Sequence, residues 1–143
     1  MKLYITITKR RLFVILAGIV IVLIGVCQFA NEKSKLIDGS SHIARERYID
    51  NLGYKIDPKD ITYKNITIPQ EFDSVYENYN QLQKQSGFDL KKFKGENAVI
   101  YTYQLESNPQ MQIHLIVHNN KIIGGDIASV KLNGEMQPLA KNR

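Results

Sequence analysis

The stretch AVIYTYQLESNPQMQIHLIVHNNKIIGGDIASV, residues 98–130, decides the fold. In Ala98 to Leu105 the residues Val99, Tyr101, Tyr103 and Leu105 share a face. In Met111 to Val117 strict alternation groups Met111, Ile113, Leu115 and Val117, which is the period of a β-strand. Asn119-Asn120 reads as a two-residue turn because asparagine tolerates positive φ, so Lys121 to Val130 returns as a third strand and closes a hairpin. Gly124-Gly125-Asp126 interrupts that last strand. Adjacent glycines in a β-rich run mark a bulge, a bend or a close approach by a ligand or another backbone. Gly124, Gly125 and Asp126 are therefore the candidate binding residues, with Asp126 expected at the rim of a small concave spot.

Upstream of these strands the periodicity is helical. Pro69 at the first helical position, with Glu71 in the first turn, predicts a helix whose Phe72, Val75, Tyr76, Tyr79 and Leu82 build one broad apolar face, read as core. Gly87 ends it and Phe88-Asp89-Leu90 folds back as a short turn. The β-branched run Ile61 to Ile68 is a strand, preceded by a turn at Asp57-Pro58-Lys59-Asp60. An earlier helix, with Ser41 as its N-cap, runs to about Leu52. Ala44, Tyr48 and Leu52 form its apolar stripe, Arg45, Glu46 and Asp50 point elsewhere, and Gly53 stops it. The order helix, strand, helix, strand, strand, strand predicts an α+β domain, an antiparallel meander sheet with helices on one face.

Before that domain lies LFVILAGIVIVLIGVC, Leu12 to Cys27, extended by Gln28-Phe29-Ala30. A helix over Leu12 to Ala30 is roughly 28 Å long, close to the ~30 Å hydrocarbon core of a bilayer. Lys9, Arg10 and Arg11 precede the run directly, so its N-terminal end is expected in the cytoplasm. The expected organisation is a cytoplasmic tail over 1–11, a single-pass transmembrane anchor over 12–30, a tether over 31–41 and an extracytoplasmic domain over 42–143. A cleaved signal peptide and a lipidated Cys27 are the rival readings. No A-x-A-like pair follows the apolar core, and Val26 stands where a lipobox wants a small residue.

The formal net charge of +5 is concentrated at the N-terminus. Beyond Lys2, Lys9, Arg10 and Arg11, 15 Lys plus Arg stand against 14 Asp plus Glu, leaving +1. A grip on phosphates needs clustered cations, and Lys91-Lys92-Phe93-Lys94 is balanced by Asp89 and Glu96, so no nucleic acid is expected. Cys27 is the only cysteine, which excludes a disulfide or a thiolate zinc site in the domain.

Arg47-Tyr48-Ile49, Leu52-Gly53-Tyr54, Ile68-Pro69, Phe72-Asp73, Val75-Tyr76-Glu77, Tyr79-Asn80 and Leu82-Gln83-Lys84 carry a resemblance that continues through the strands. There it rests on Gly87-Phe88-Asp89-Leu90, Lys94-Gly95, Tyr101-Thr102-Tyr103, Ile123-Gly124-Gly125-Asp126, Gly134, Met136 and Leu139. The stretch Arg45 to Leu139 resembles a family of short, membrane-anchored Firmicutes proteins, domain of unknown function 4830. The chain departs from it at Glu135, where the family favours an aromatic, and at Tyr54, where tryptophan is common. The resemblance implies an anchored extracytoplasmic module and no established activity.

His114 and His118 fall on one face of a strand about 13 Å apart, too far to share a metal, and read as solvated. His42 falls near the first helix cap, and no G-x-S-x-G or thiol nucleophile is present in the domain. Asn65-Ile66-Thr67, although a glycosylation acceptor by pattern, is simply part of a strand. No cofactor and no metal is expected. The leading reading is a binding or accessory module of the bacterial cell envelope that docks a protein, a peptide or a wall component, with the oligomeric state left open. One alternative is a small envelope hydrolase in which Asp73, Asp89 and Asp126 converge only in the fold; another is a spacer or inhibitor domain. Converging carboxylates would favour the enzyme, and a shallow apolar groove or an open sheet edge would favour binding.

Overall fold

The two residues Asn119 and Asn120 turn the chain with φ of +46° and +63°. They join β4 (Met111–His118) to β5 (Lys121–Ser129) as the sequence predicts. The computed structural model of the chain describes residues 37–131 and 134–141. The transmembrane segment expected over 12–30 lies outside the described residues, among which no helix is long and apolar enough to cross a membrane.

The strands are β1 (Ile37–Asp38), β2 (Ile56–Thr67), β3 (Asn97–Leu105), β4, β5 and β6 (Met136–Pro138), all paired antiparallel. Their order is β1-β5-β4-β3-β2, with β6 also on β5. The domain is α+β, a sheet-rich fold with two α-helices among the described residues. Ile37 and Asp38, in the segment read as tether, pair with Ile122 and Lys121 and belong to the sheet. Asp57 to Asp60 turn within β2 as a bulge: Ile56 pairs with Leu105 and Ile61 with Tyr103.

Both faces of the sheet are covered, which corrects the expected one-sided packing. On one face Tyr103, Leu105, Ile113, Leu115 and Ile127 pack with Ile49 and Tyr48 of helix α1 (His42–Asn51) and with its C-cap residue Leu52. On the other, Ala98, Ile116 and Ile123 pack with Ile68, Leu90, Phe72 and Tyr79, the last from helix α2 (Ser74–Gln85). The physical reason lies in β4 and β5, where Ile116 and Ile123 are apolar in the phase opposite to Leu115 and Ile122. A strand apolar in both phases needs cover on both sides.

Helix α1 starts as expected, with the Ser41 Oγ accepting from the Ala44 N–H at 3.1 Å, and stops at Gly53, whose φ is +88°. Its buried side is wider than expected: Tyr48 and Leu52 pack on the core as read, and Ile49 is buried with them. Arg45, predicted to point away, is buried along with Ile49. Its Nε donates to the Tyr103 hydroxyl and its Nη1 to the Gly39 carbonyl, both at 2.7 Å, and its guanidinium lies 3.6 Å from the centroid of the Tyr101 ring. These neutral acceptors and a π-face satisfy a cation that was read as pointing away from the core.

Helix α2 begins later than Pro69. The Ile68 N–H donates to the Glu96 carbonyl and the Ile68 carbonyl accepts from the Gly95 N–H, which holds the chain extended past the end of β2. The first side chain able to cap a helix is then Asp73, which accepts from the Tyr76 N–H at 2.8 Å. The helix ends at Gly87, with φ of +83°. Val75, read as core, is 70% exposed, while Asn80 and Gln83 are fully buried. The Asn80 Oδ1 accepts from the Leu90 N–H at 2.8 Å and its Nδ2 donates to Asp89 at 3.0 Å. This pins the 3-10 turn Leu90–Phe93 beneath the helix.

Arg45→Met should destabilise the domain by about 1–3 kcal/mol for each acceptor it orphans, at Tyr103 and Gly39. Urea unfolding measures this, and an unchanged midpoint would show the guanidinium to be dispensable.

Candidate functional site

The chain reaches Gly124-Gly125-Asp126 through a β-bulge. Opposite the adjacent residues Ile116 and Val117 of β4 stand Gly124 and Ile122 of β5, so Ile123 is the extra residue. Neither glycine has a positive φ, and both are required by close approach instead. A Cβ at Gly124 would lie 2.9 Å from the Gln83 Oε1 and 3.1 Å from Ile116 and Leu90 side-chain carbons. One at Gly125 would lie 2.7 Å from the His114 carbonyl oxygen and from Leu139. On the outer side of β5, β1 pairs at Lys121 and Ile122, and β6 from Asp126 to Ala128. In the gap, the Gly125 N–H donates to the Gln83 Oε1 at 2.8 Å, so a side chain from α2 stands in for a strand.

Asp126 is only 2% exposed, which corrects its expected place at a rim. Its Oδ2 accepts from the Tyr79 hydroxyl at 2.6 Å and its Oδ1 from the His114 Nδ1–H at 2.8 Å. Burial, reinforced by the Asp126 carboxylate, pushes the Tyr79 hydroxyl well above the ordinary tyrosine range, so this phenol stays a donor. His114 is therefore not a solvated strand residue but one oriented by a buried carboxylate, with Nε2 uncommitted among the described residues. An imidazole held in this way can serve as a general base. Thr102 is its cross-strand neighbour on β3, yet no hydrogen bond joins the two, so the row Thr102, His114, Asp126 holds no activated nucleophile.

The other candidates do not join this cluster. Asp73 caps α2, and Asp89 accepts from Asn80 and from the Lys91 N–H, so the three carboxylates share no partner. His118 donates from Nδ1 to the Asn97 carbonyl at 2.7 Å, and His42 stacks on Tyr103 at 6.2 Å. Among the described residues no group of side chains is placed to hold a metal ion.

Tyr79 also faces outward. With Val75, Tyr76, Asn78, Leu82 and Met136 it lines a shallow groove of about 420 Å³ along α2, nearly all apolar. Val75 and Met136 are exposed there at 70% and 48%. The buried Asp126 thus fixes one wall of an apolar surface groove.

The family model described as Domain of unknown function (DUF4830) matches residues 48–127, more than half of the chain. The chain belongs to this family. The matched span holds Tyr79, Gln83, His114 and the Gly124 to Asp126 segment, so the entire cluster is part of the family's domain. Comparisons with curated proteins and with solved structures returned no match.

Sequence reasoning singled out Asp126 but missed Tyr79, His114 and Gln83 as its surroundings. One signal was present: Asn80 and Gln83 stand one turn apart amid the apolar positions of α2. Polar side chains on a buried stripe require partners.

Asp126→Ala should destabilise the domain by about 1.5–3 kcal/mol, because it leaves two donors facing a void. Chemical denaturation that finds no loss would return Asp126 to an exposed, purely recognitive role. Burial also raises the Tyr103 and Tyr48 hydroxyls. The unfolded chain ionises its tyrosines near pH 10 while the folded chain retains those protons, so stability is full below about pH 10 and falls above it. Tyr79→Phe should make this alkaline decline shallower in denaturation curves collected against pH.

Proposed function

We propose that this chain is a membrane-anchored, extracytoplasmic binding module of the bacterial cell envelope, and that the groove along α2 receives an apolar segment of a partner protein. The observation that carries the reading is the groove of Val75, Tyr76, Tyr79, Leu82 and Met136, an apolar surface with no catalytic group in its lining. Val75 on α2 and Met136 on β6 stand exposed beside the half-buried Tyr76, Tyr79 and Leu82, an apolar surface that docking would cover. Tyr79, held by the buried Asp126, gives the groove a rigid wall, which lowers the ordering cost of association. The apolar run Leu12 to Cys27 behind a basic tail supports the anchor and the orientation.

A hydrolase is the second reading, favoured by the Asp126–His114 pair alone. It lacks a nucleophile bonded to His114, and the Asp73, Asp89 and Asp126 carboxylates do not converge.

A photo-cross-linking residue at Val75 should give one discrete adduct in intact cells, abolished by Leu82→Asp, while the same residue at exposed Ile43 on α1 should not. No adduct at Val75 would remove the groove as a docking site, and a product at twice the chain's own mass would replace the partner by a second copy. A cysteine introduced at Ser40 should react with a membrane-impermeant thiol reagent in intact cells. Protection there, with labelling of a cysteine near Lys2, would reverse the topology.

A further inference from the structure

An open depression on the domain is chemically unlike the groove on α2. It has a volume of about 660 Å³ and is walled by Gly39 and Ser40 after β1, by the facing ends of β2 and β3, and by the Asn119-Asn120 turn. Its lining contains no Asp, Glu, Lys, Arg or His, although 23% of the chain is charged. In their place stand the four carboxamides of Asn65, Asn97, Asn119 and Asn120 beside the ring of Tyr101.

The carboxamides are set up by their neighbours. The Thr67 hydroxyl donates to the Asn97 Oδ1 at 2.9 Å, which leaves the Asn97 Nδ2 as a donor without a partner among the described residues. The Asn97 carbonyl can only accept, so the His118 Nδ1 carries the hydrogen and its Nε2 accepts from the Asn119 Nδ2 at 2.8 Å. That leaves the Asn119 Oδ1 as a free acceptor. Asn65 makes no side-chain hydrogen bond among the described residues, so both ends of its carboxamide are open. The Arg45 guanidinium packs over the Tyr101 ring, and Tyr63, paired with Tyr101 across β2 and β3, is 72% exposed with its ring 6.3 Å away.

Carboxamide donors and acceptors, those of Asn97 and Asn119 oriented by hydrogen bonds, beside an aromatic ring and in a lining with no charged side chain, suit a ligand that is neutral, rich in hydroxyl or amide groups and apolar on its ring faces. We propose that this cleft binds a neutral oligosaccharide carrying N-acetylated hexosamine units. The ring carbons lie against Tyr101 and Tyr63, hydroxyls pair with Asn65, and an acetamido group pairs its carbonyl with the Asn97 Nδ2 and its N–H with the Asn119 Oδ1. The proposal is independent of the α2 groove, which shares no lining residue with this cleft.

The test is a titration of the isotope-labelled full chain, in detergent micelles, with tetra-N-acetylchitotetraose, followed by NMR. The expected result is saturable shifts confined to Asn65, Asn97, Asn119, Tyr63 and Tyr101, with affinity about tenfold weaker in Asn65→Ala and in Asn97→Ala. Asn65 makes no side-chain bond in the fold, so Asn65→Ala should keep the parent melting temperature and separate lost binding from lost structure. Absence of shifts at millimolar sugar overturns the proposal. So do shifts away from the cleft and the adjoining Tyr63, or equal affinity for cellotetraose, which lacks the acetamido groups.

Discussion

Where β5 passes beneath α2, a side chain at Gly124 would run into Gln83 of that helix and into Ile116 and Leu90, while one at Gly125 would run into the His114 carbonyl and Leu139. The oxygen of Gln83 accepts the hydrogen bond that a neighbouring strand would otherwise take from Gly125. Most of one face follows from this contact. It sets the depth of α2 on the sheet and brings the Tyr79 hydroxyl onto Asp126. Two turns of polar packing, Asn80 onto Leu90 and Gln83 onto Gly125, replace the leucines that usually seat a helix. Polar seating of this kind is directional: a leucine face tolerates rotation of the helix, whereas these bonds are met at one angle only.

The opposite face is organised by a cation. Arg45 ties the chain before α1, through the Gly39 carbonyl, to the middle of β3, through Tyr103. It also packs over the Tyr101 ring, so one side chain links the entry of the domain, its core and the ring exposed to the polar cleft. The two faces thereby present different surfaces, an apolar groove along α2 and an uncharged polar cleft beside β1. Their chemistry differs enough that a single ligand would not suit both.

Strands, turns and caps were legible because their causes are local. The alternation of Ile113, Leu115 and Val117, the Asn119-Asn120 turn, the Ser41 cap and the stops at Gly53 and Gly87 each depend on residues within a few positions. The start of α2 was misplaced because Pro69 is a good first helical residue in isolation. The backbone bonds of Ile68 to Glu96 and Gly95, which keep the chain extended there, come from about thirty residues downstream. Of the candidate site the sequence offered the glycine pair and Asp126. Their partners Tyr79 and His114 lie 47 and 12 positions away, on a helix and a neighbouring strand.

The sequence by itself determined the α+β class, the meander of β3, β4 and β5, and the family of the domain. Periodicity and turn chemistry act over a few residues and survive any packing. Only the tertiary structure decided that the helices take opposite faces, that Arg45 is inside and Val75 outside, and that Asp126 is a buried acceptor. A periodic pattern defines a face of an element without saying what will cover it. A polar side chain reads as exposed until a partner from elsewhere in the chain satisfies it.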